Sequence, residues 1–313
     1  MSDVVVVGSL SVDFTARAER LPVVGETLIG SGFATAPGGK GNNQAIASAL
    51  QGVATALVGC IGADHLGDMI VEVFAELGLD ATHLVRDPSV PTGIAHITVD
   101  AEGRNTIVIV PQANSRMSIE RVRDDEALIG SARIVLTQLE IPVEATHAAL
   151  TIGREAGSLT ILNPAPAIQV DDDLLRLADI CVPNEVEASE LTGQKVIDRA
   201  SAISAASVLR DRGCREVVVT LGERGAVYVG PDATFDVRPF KVDTVDTVAA
   251  GDAFCGALAA SLALGASRVQ ALERASAAGA LATTLPGATT SLPTAGAVES
   301  LVERGRDEAL PYG

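Results

Sequence analysis

Ile134-Val135-Leu136-Thr137 is followed by a helical pattern from Val143 to Ala156, then by Gly157 and Leu159-Thr160-Ile161-Leu162. Each apolar run is continuous rather than alternating, the mark of a strand covered on both faces. Gly157 stands where a helix C-cap is expected. Strand, helix and strand in this order predict two parallel strands joined by a crossover helix. The rhythm extends in both directions. Val4–Val7, Thr55–Val58 and Val217–Thr220 read as further buried strands. Asn43–Gln51, Asp64–Leu77, Ala200–Arg212 and Ala250–Leu264 read as helices, with Gly78, Gly213 and Gly265 at their C-caps. The expected fold class is α/β, a mostly parallel sheet wrapped by helices.

Two segments depart from this rhythm. From Leu10 to Ala36, and again from Gly93 to Val110, the pattern is strand-like without helices. Ile94–Val99, a turn at Asp100-Ala101-Glu102-Gly103, and Thr106–Val110 predict a β-hairpin. A hairpin inserted in an α/β chain covers a site, a partner subunit, or both. Composition narrows the function. The 313 residues carry Lys+Arg 23 against Asp+Glu 40, a net charge of −17. So acidic a surface repels phosphate backbones and anionic lipid, so neither nucleic acid nor a membrane is expected as partner. No apolar run reaches the roughly 18 residues of a membrane span. Met1-Ser2-Asp3 leads straight into the first strand without an export signal, and Cys60, Cys181, Cys214 and Cys255 form no CxxC pair. Buried thiols in a cytoplasmic protein are expected.

Chemistry concentrates in two glycine-rich stretches. Asp246-Thr247-Val248-Ala249-Ala250-Gly251-Asp252-Ala253-Phe254 leads small residues into a helix, so free backbone N–H groups and the helix dipole favour an anion there. Asp252 beside an anion site either caps the helix or takes a proton from a nucleophile. Pro37-Gly38-Gly39-Lys40-Gly41-Asn42-Asn43-Gln44-Ala45 is a second glycine turn opening a helix. Lys40 is followed by Gly41 rather than Ser or Thr, which excludes a Walker A loop. Exposed backbone, one ammonium and several amides suit a polyhydroxylated ligand. Asp13, Glu140, Asn163, Asn184, Glu187 and Thr220 collect near strand ends, where open parallel sheets bind ligands. Scattered histidines make a zinc site improbable, and without Trp, aromatic stacking is no major device.

Together the two stretches resemble the signatures of the ribokinase family of carbohydrate kinases, the PfkB family. The likeness runs from Gly8 to about Pro293 and includes Pro22–Thr27, Leu162–Ala167, Pro183-Asn184-Glu185 and Thr220-Leu221-Gly222. It implies a three-layer α/β/α core formed by residues 1–9, 37–91 and 114–313, and a small β-sheet lid formed by 10–36 and 92–113. By likeness, Asp252 is the general base toward the 5-hydroxyl of D-ribose, and the N–H groups of Ala249, Ala250 and Gly251 form the anion hole. Ser11, Asp13, Gly39, Lys40, Asn43 and Glu140 match sugar positions. Asn184, Thr220, Gly222, Gly225, Gly251 and Ser276 match nucleotide positions. Glu187 matches a residue acting indirectly on Mg²⁺. Asp246, Val248, Ala282, Leu285, Gly287 and Ser291 match a loop for a monovalent cation, K⁺. The implied cofactors are ATP, Mg²⁺ and K⁺, and the implied assembly is a homodimer through the lid. Ser11 stands where these kinases usually carry Asn, and Asn42 replaces a small residue away from the catalytic set. Kinases for another pentose, a ketohexose, deoxyribose or a nucleoside are the near alternatives, and a silent sugar sensor the distant one.

Overall fold

The computed structural model describes residues 2–308. Its strands are β1 Val4–Val7, β2 Ser11–Arg17, β3 Gly32–Gly38, β4 Thr55–Gly62, β5 Leu84–Asp87, β6 Gly93–Val99, β7 Asn105–Val110, β8 Ile134–Thr137, β9 Leu159–Leu162, β10 Ile180–Cys181, β11 Glu216–Thr220, β12 Ala226–Val229 and β13 Thr234–Val237. Its α-helices are α1 Lys40–Leu50, α2 His65–Glu76, α3 Ile119–Asp124, α4 Glu126–Ser131, α5 Val143–Ala156, α6 Asp172–Arg176, α7 Glu185–Thr192, α8 Arg199–Asp211, α9 Ala250–Ala263, α10 Arg268–Ala282 and α11 Ala295–Glu308.

The large sheet runs β13-β12-β11-β10-β9-β8-β1-β4-β5. Its pairs are parallel from β11 to β5, so the strand–helix–strand reading of residues 134–162 holds. The edge hairpin β12–β13 is antiparallel to its neighbour and was not foreseen. Val4 to Val7 are all fully buried, and the pleat sends them to opposite faces. Val4 and Val6 pack with Ile46, Phe74 and Leu258, below α1, α2 and α9. Val5 and Val7 pack with Val135, Ala145 and Ala149, toward α5. Each such side chain contributes about 1.5–3 kcal/mol of burial. The result is three layers, helix on sheet on helix.

A second sheet, β3-β2-β6-β7, stands apart from the first. The expected hairpin is β6–β7, antiparallel with Ile97 facing Ile107. β3 runs on to Gly38, two residues past the boundary expected at 36, and α1 starts at Lys40 rather than Asn43. Gly39 makes the corner: its φ of 91° suits glycine, and a Cβ there would stand 3.0 Å from Leu10 Cα. The four cysteines are buried and unpaired. No helix among the described residues is long and apolar enough to cross a membrane.

Candidate active site

The parallel strands β1, β8, β9, β10 and β11 all end at one rim of the large sheet, and the polar residues follow those ends. Ser9 follows β1. Its hydroxyl donates to Glu140 Oε2 at 2.6 Å, and the Lys40 N–H donates to the same oxygen at 3.0 Å. The rim after β8 is thereby tied to the first turn of α1. Backbone contact makes this possible, because a Cβ on Gly41 would meet Ser9 N at 2.5 Å.

Asp252 stands in the first turn of α9 and is 6% exposed. Its Oδ1 accepts from Gln44 Nε2 at 2.9 Å and its Oδ2 from Asn43 Nδ2 at 3.0 Å. The two glycine-rich stretches, remote in sequence, therefore meet at this carboxylate. Burial raises the Asp252 pKa, opposed by the Lys40 ammonium and by the two amide donors, while Glu140 pushes it further up. Burial works against the Lys40 charge, but Asp252, Glu140 and Glu187 more than offset it and raise its pKa. Asp13, on β2, is pushed up to about 6 by burial, against a hydrogen bond from Ser11 at 3.4 Å. Gly38 lies opposite Ser11 in the ladder, and a Cβ there would run into the Asp13 carboxylate.

Ala249, the cap of α9, adopts a left-handed conformation with φ 60°. The Ala249 and Gly251 N–H groups have no acceptor among the described residues, whereas Ala250 N–H reaches back to Thr247 O at 3.4 Å. A cleft of about 180 Å³ opens in front of them. Lys40, Asn184, Glu187, Thr220, Gly251 and Asp252 line it, so nucleotide and anion-hole candidates share one space with Lys40 and Asp252, whereas the sugar candidates Ser11, Asp13, Gly39, Asn43 and Glu140 lie outside its lining. Asn184 caps α7, and Glu187 returns both carboxylate oxygens to it, at 2.8 Å to the backbone N–H and 2.9 Å to Nδ2. Burial lifts Glu187 to about 6. Asn184 bridges to Thr220, and Gly222 and Gly225 shape the turn beyond with φ of 56° and 82°. Gly222, Gly225 and Ser276 do not line the cleft. The Ser276 hydroxyl donates to Arg238 O at 2.7 Å, which pins α10 to the chain after β13.

The cation-loop candidates also converge. Asp246 accepts from Val248 N–H and Gly287 N–H, each at 3.0 Å, and so binds the two loops together. No described residue donates a hydrogen bond to the carbonyl oxygens of Asp246, Val248, Ala282, Leu285, Gly287 or Ser291. Unclaimed carbonyls suit a large monovalent cation. For Mg²⁺ the fit is indirect. Among the described residues no three His, Cys, Asp or Glu side chains cluster, and Glu187 already serves a cap with both oxygens. Glu187 would therefore meet such an ion only through a water.

Ser9, Gln44 and Gln138 were not among the expected site residues although they join its network, and Asn163, expected there only as a polar residue at a strand end, joins it too. The available signal was position: each lies beside a quoted motif or strand end. Asn42 also does more than expected. It is fully buried, and its Nδ2 donates to Asn43 Oδ1 and Thr289 Oγ1, both at 3.3 Å.

The sequence pattern of the pfkB family of carbohydrate kinases matches residues 1–295. A ribokinase of Haemophilus influenzae is 39% identical over 289 residues, covering 92% of this chain and 94% of the relative. A deoxyribokinase of Salmonella typhi is 34% identical over 258 residues, covering 82% and 84%. The structure of Arabidopsis thaliana ribokinase complexed with ribose and ATP superimposes with a TM-score of 0.89 at 32% identity, covering 96% of this chain and 99% of that one.

Proposed function

The chain belongs to the pfkB family of carbohydrate kinases and is an ATP-dependent sugar kinase; on that premise we propose that it phosphorylates D-ribose at its primary 5-hydroxyl. The observation that carries the reading is Asp252, a buried carboxylate beside the unpaired N–H groups of α9 and hydrogen-bonded to the helix that Lys40 opens. In this reading Asp252 removes the hydroxyl proton as the oxygen attacks the γ-phosphorus and the bond to ADP breaks. The Ala249, Ala250 and Gly251 N–H groups balance the charge on the transferring group, for which Ala250 gives up its long bond to Thr247. Asp13 and Asn43 hold sugar hydroxyls, Glu140 braces Lys40, and Asn184 and Thr220 face the nucleotide. Gly222, Gly225 and Ser276 shape the nucleotide side from behind.

Glu187 would orient a water of a bound Mg²⁺, an ion that would supply neutralisation of the phosphate charge. K⁺ is assigned to the carbonyl loop around Asp246, next to the anion hole. Residues 10–36 and 92–113, extended to Gly38, form the lid over this site, and two lids pair in a homodimer. Supporting that contact, β7 is an edge strand with all six residues exposed, Val108 at 62%. A deoxyribose substrate is the second reading. It is favoured by Ser11, which offers the sugar no amide donor, and by the likeness to a deoxyribokinase.

The test is ADP release with ribose, deoxyribose, fructose and nucleosides, under Mg²⁺ with K⁺ or tetramethylammonium. Ribose should turn over fastest, and several-fold slower without K⁺. Faster turnover on another sugar reassigns the substrate, and no turnover on any of them leaves a sugar-binding protein without catalysis. Equal rates in both cations remove K⁺ from the scheme.

A further inference from the structure

Each oxygen of Asp252 accepts one hydrogen bond, and the donor to Oδ1 has its orientation set from elsewhere. The Val182 carbonyl can only accept, so Asn163 turns Nδ2 toward it at 2.9 Å and leaves Oδ1 facing Gln44. Gln44 must then present Nε2 to Asn163 Oδ1, at 3.0 Å, and the second hydrogen of the same nitrogen reaches Asp252 at 2.9 Å. Its Oε1 accepts from Gln138 Nε2 at 2.6 Å. Gln44 and Gln138 are fully buried and Asn163 is 7% exposed. Gln138 Oε1 has no partner. Turning that amide over would satisfy neither residue, since two carbonyl oxygens would then face each other. An orphaned buried oxygen destabilises the fold, and here it is the consequence of aiming a donor at the carboxylate.

We infer that Gln44 is a positioning residue for the base: its amide, locked between Asn163 and Gln138, offers Asp252 only a donor and thereby favours the ionised carboxylate. The inference rests on the reading of Asp252 as base. Gln44 does not line the cleft, unlike Lys40, so its effect runs through Asp252. The other charged groups facing Asp252 are Lys40 from α1, Glu140 after β8, Asp13 from β2 and Glu187 from α7, with Cys255 on its own helix. None is altered by the variants below.

The experiment is the pH profile of kcat/KM for ribose in the wild type, Gln44→Met and Gln138→Met. Gln44→Met keeps length and loses the donor, so the acidic limb should move up by about one pH unit while the high-pH plateau recovers to within a few-fold. Gln138→Met removes one of the two groups that hold the Gln44 amide and so loosens its donor to Asp252, so its limb should move the same way by less. If Gln44→Met does not fold, Gln138→Met decides. Limbs that coincide with the wild type, whatever the plateau heights, overturn the inference, because a merely structural role lowers rate at every pH. A wild type without sugar-dependent turnover would take down the kinase reading itself, and this inference with it.

Discussion

Asp252 sits where a proton acceptor and an anion site must share a few ångströms, and its surroundings answer that conflict with amides as well as with Lys40. Asp252→Asn keeps the shape and removes the base. We expect kcat to fall about a hundredfold to ten-thousandfold with little change in ribose affinity, measured by steady-state kinetics and calorimetric titration; a loss below tenfold would contradict the base role. Asp13 offers a second test, through stability. Its pKa is raised by burial to about 6, above the value of about 3.9 for an unfolded carboxyl. The native state therefore holds this proton more tightly, and stability falls as pH rises between those values. Asp13→Asn should raise Tm by about 2–4 °C at pH 7.5, the gain disappearing near pH 4, while KM for ribose rises at least tenfold. Scanning fluorimetry at both pH values checks the sign. Asp252, Lys40 and Asn43 were legible because glycine turns announce them. Gln44 and Gln138 were not, and Asn163 was legible only as a polar strand-end residue, because such a residue looks the same whether it caps a turn or joins a buried chain of amides.

At the scale of elements, the site depends on how closely α1 approaches α9. Gly256 lies one turn after Asp252, and a Cβ there would stand 2.5 Å from Ala47 Cβ and 2.7 Å from Gln44 O. The absence of that atom brings Asn43 and Gln44 within reach of the carboxylate. Gly256→Ala should destabilise the protein by about 1–3 kcal/mol through overpacking. It should also lower kcat at least tenfold as the donors move away. Thermal melts and kinetics of the same preparation test both, and an unchanged kcat would separate helix spacing from catalysis. The helices themselves were readable from their periodicity, within a few residues at their ends. Those ends are set by caps: Lys40 begins α1 because Gly39 turns the chain and Glu140 takes the Lys40 N–H.

For the whole molecule, the decisive surface is the small sheet. β7 exposes Ile107, Val108, Ile109 and Val110 on an unpaired edge, and so apolar an edge is a liability unless another surface covers it. Val108→Lys should convert a dimer to monomers in analytical ultracentrifugation; a wild type that sediments as a monomer removes the lid contact. The hairpin was visible in advance because its two β-branched runs and the turn between them are local. The edge pair β12–β13 was not, because no helical pattern separates its strands and Thr234–Val237 mixes polar with apolar residues, unlike β8 and β9 with the helix between them. The amino-acid order alone determined the α/β class, the parallel strands and the helix that presents Asp252, since burial periodicity and glycine turns act over a few residues. Only the tertiary structure decided which amides face that carboxylate and that the ends of β9, β10 and β11 share one cleft with the start of α9. Hydrogen-bond partners and helix spacing depend on distances between segments remote in the chain, and no local pattern encodes those.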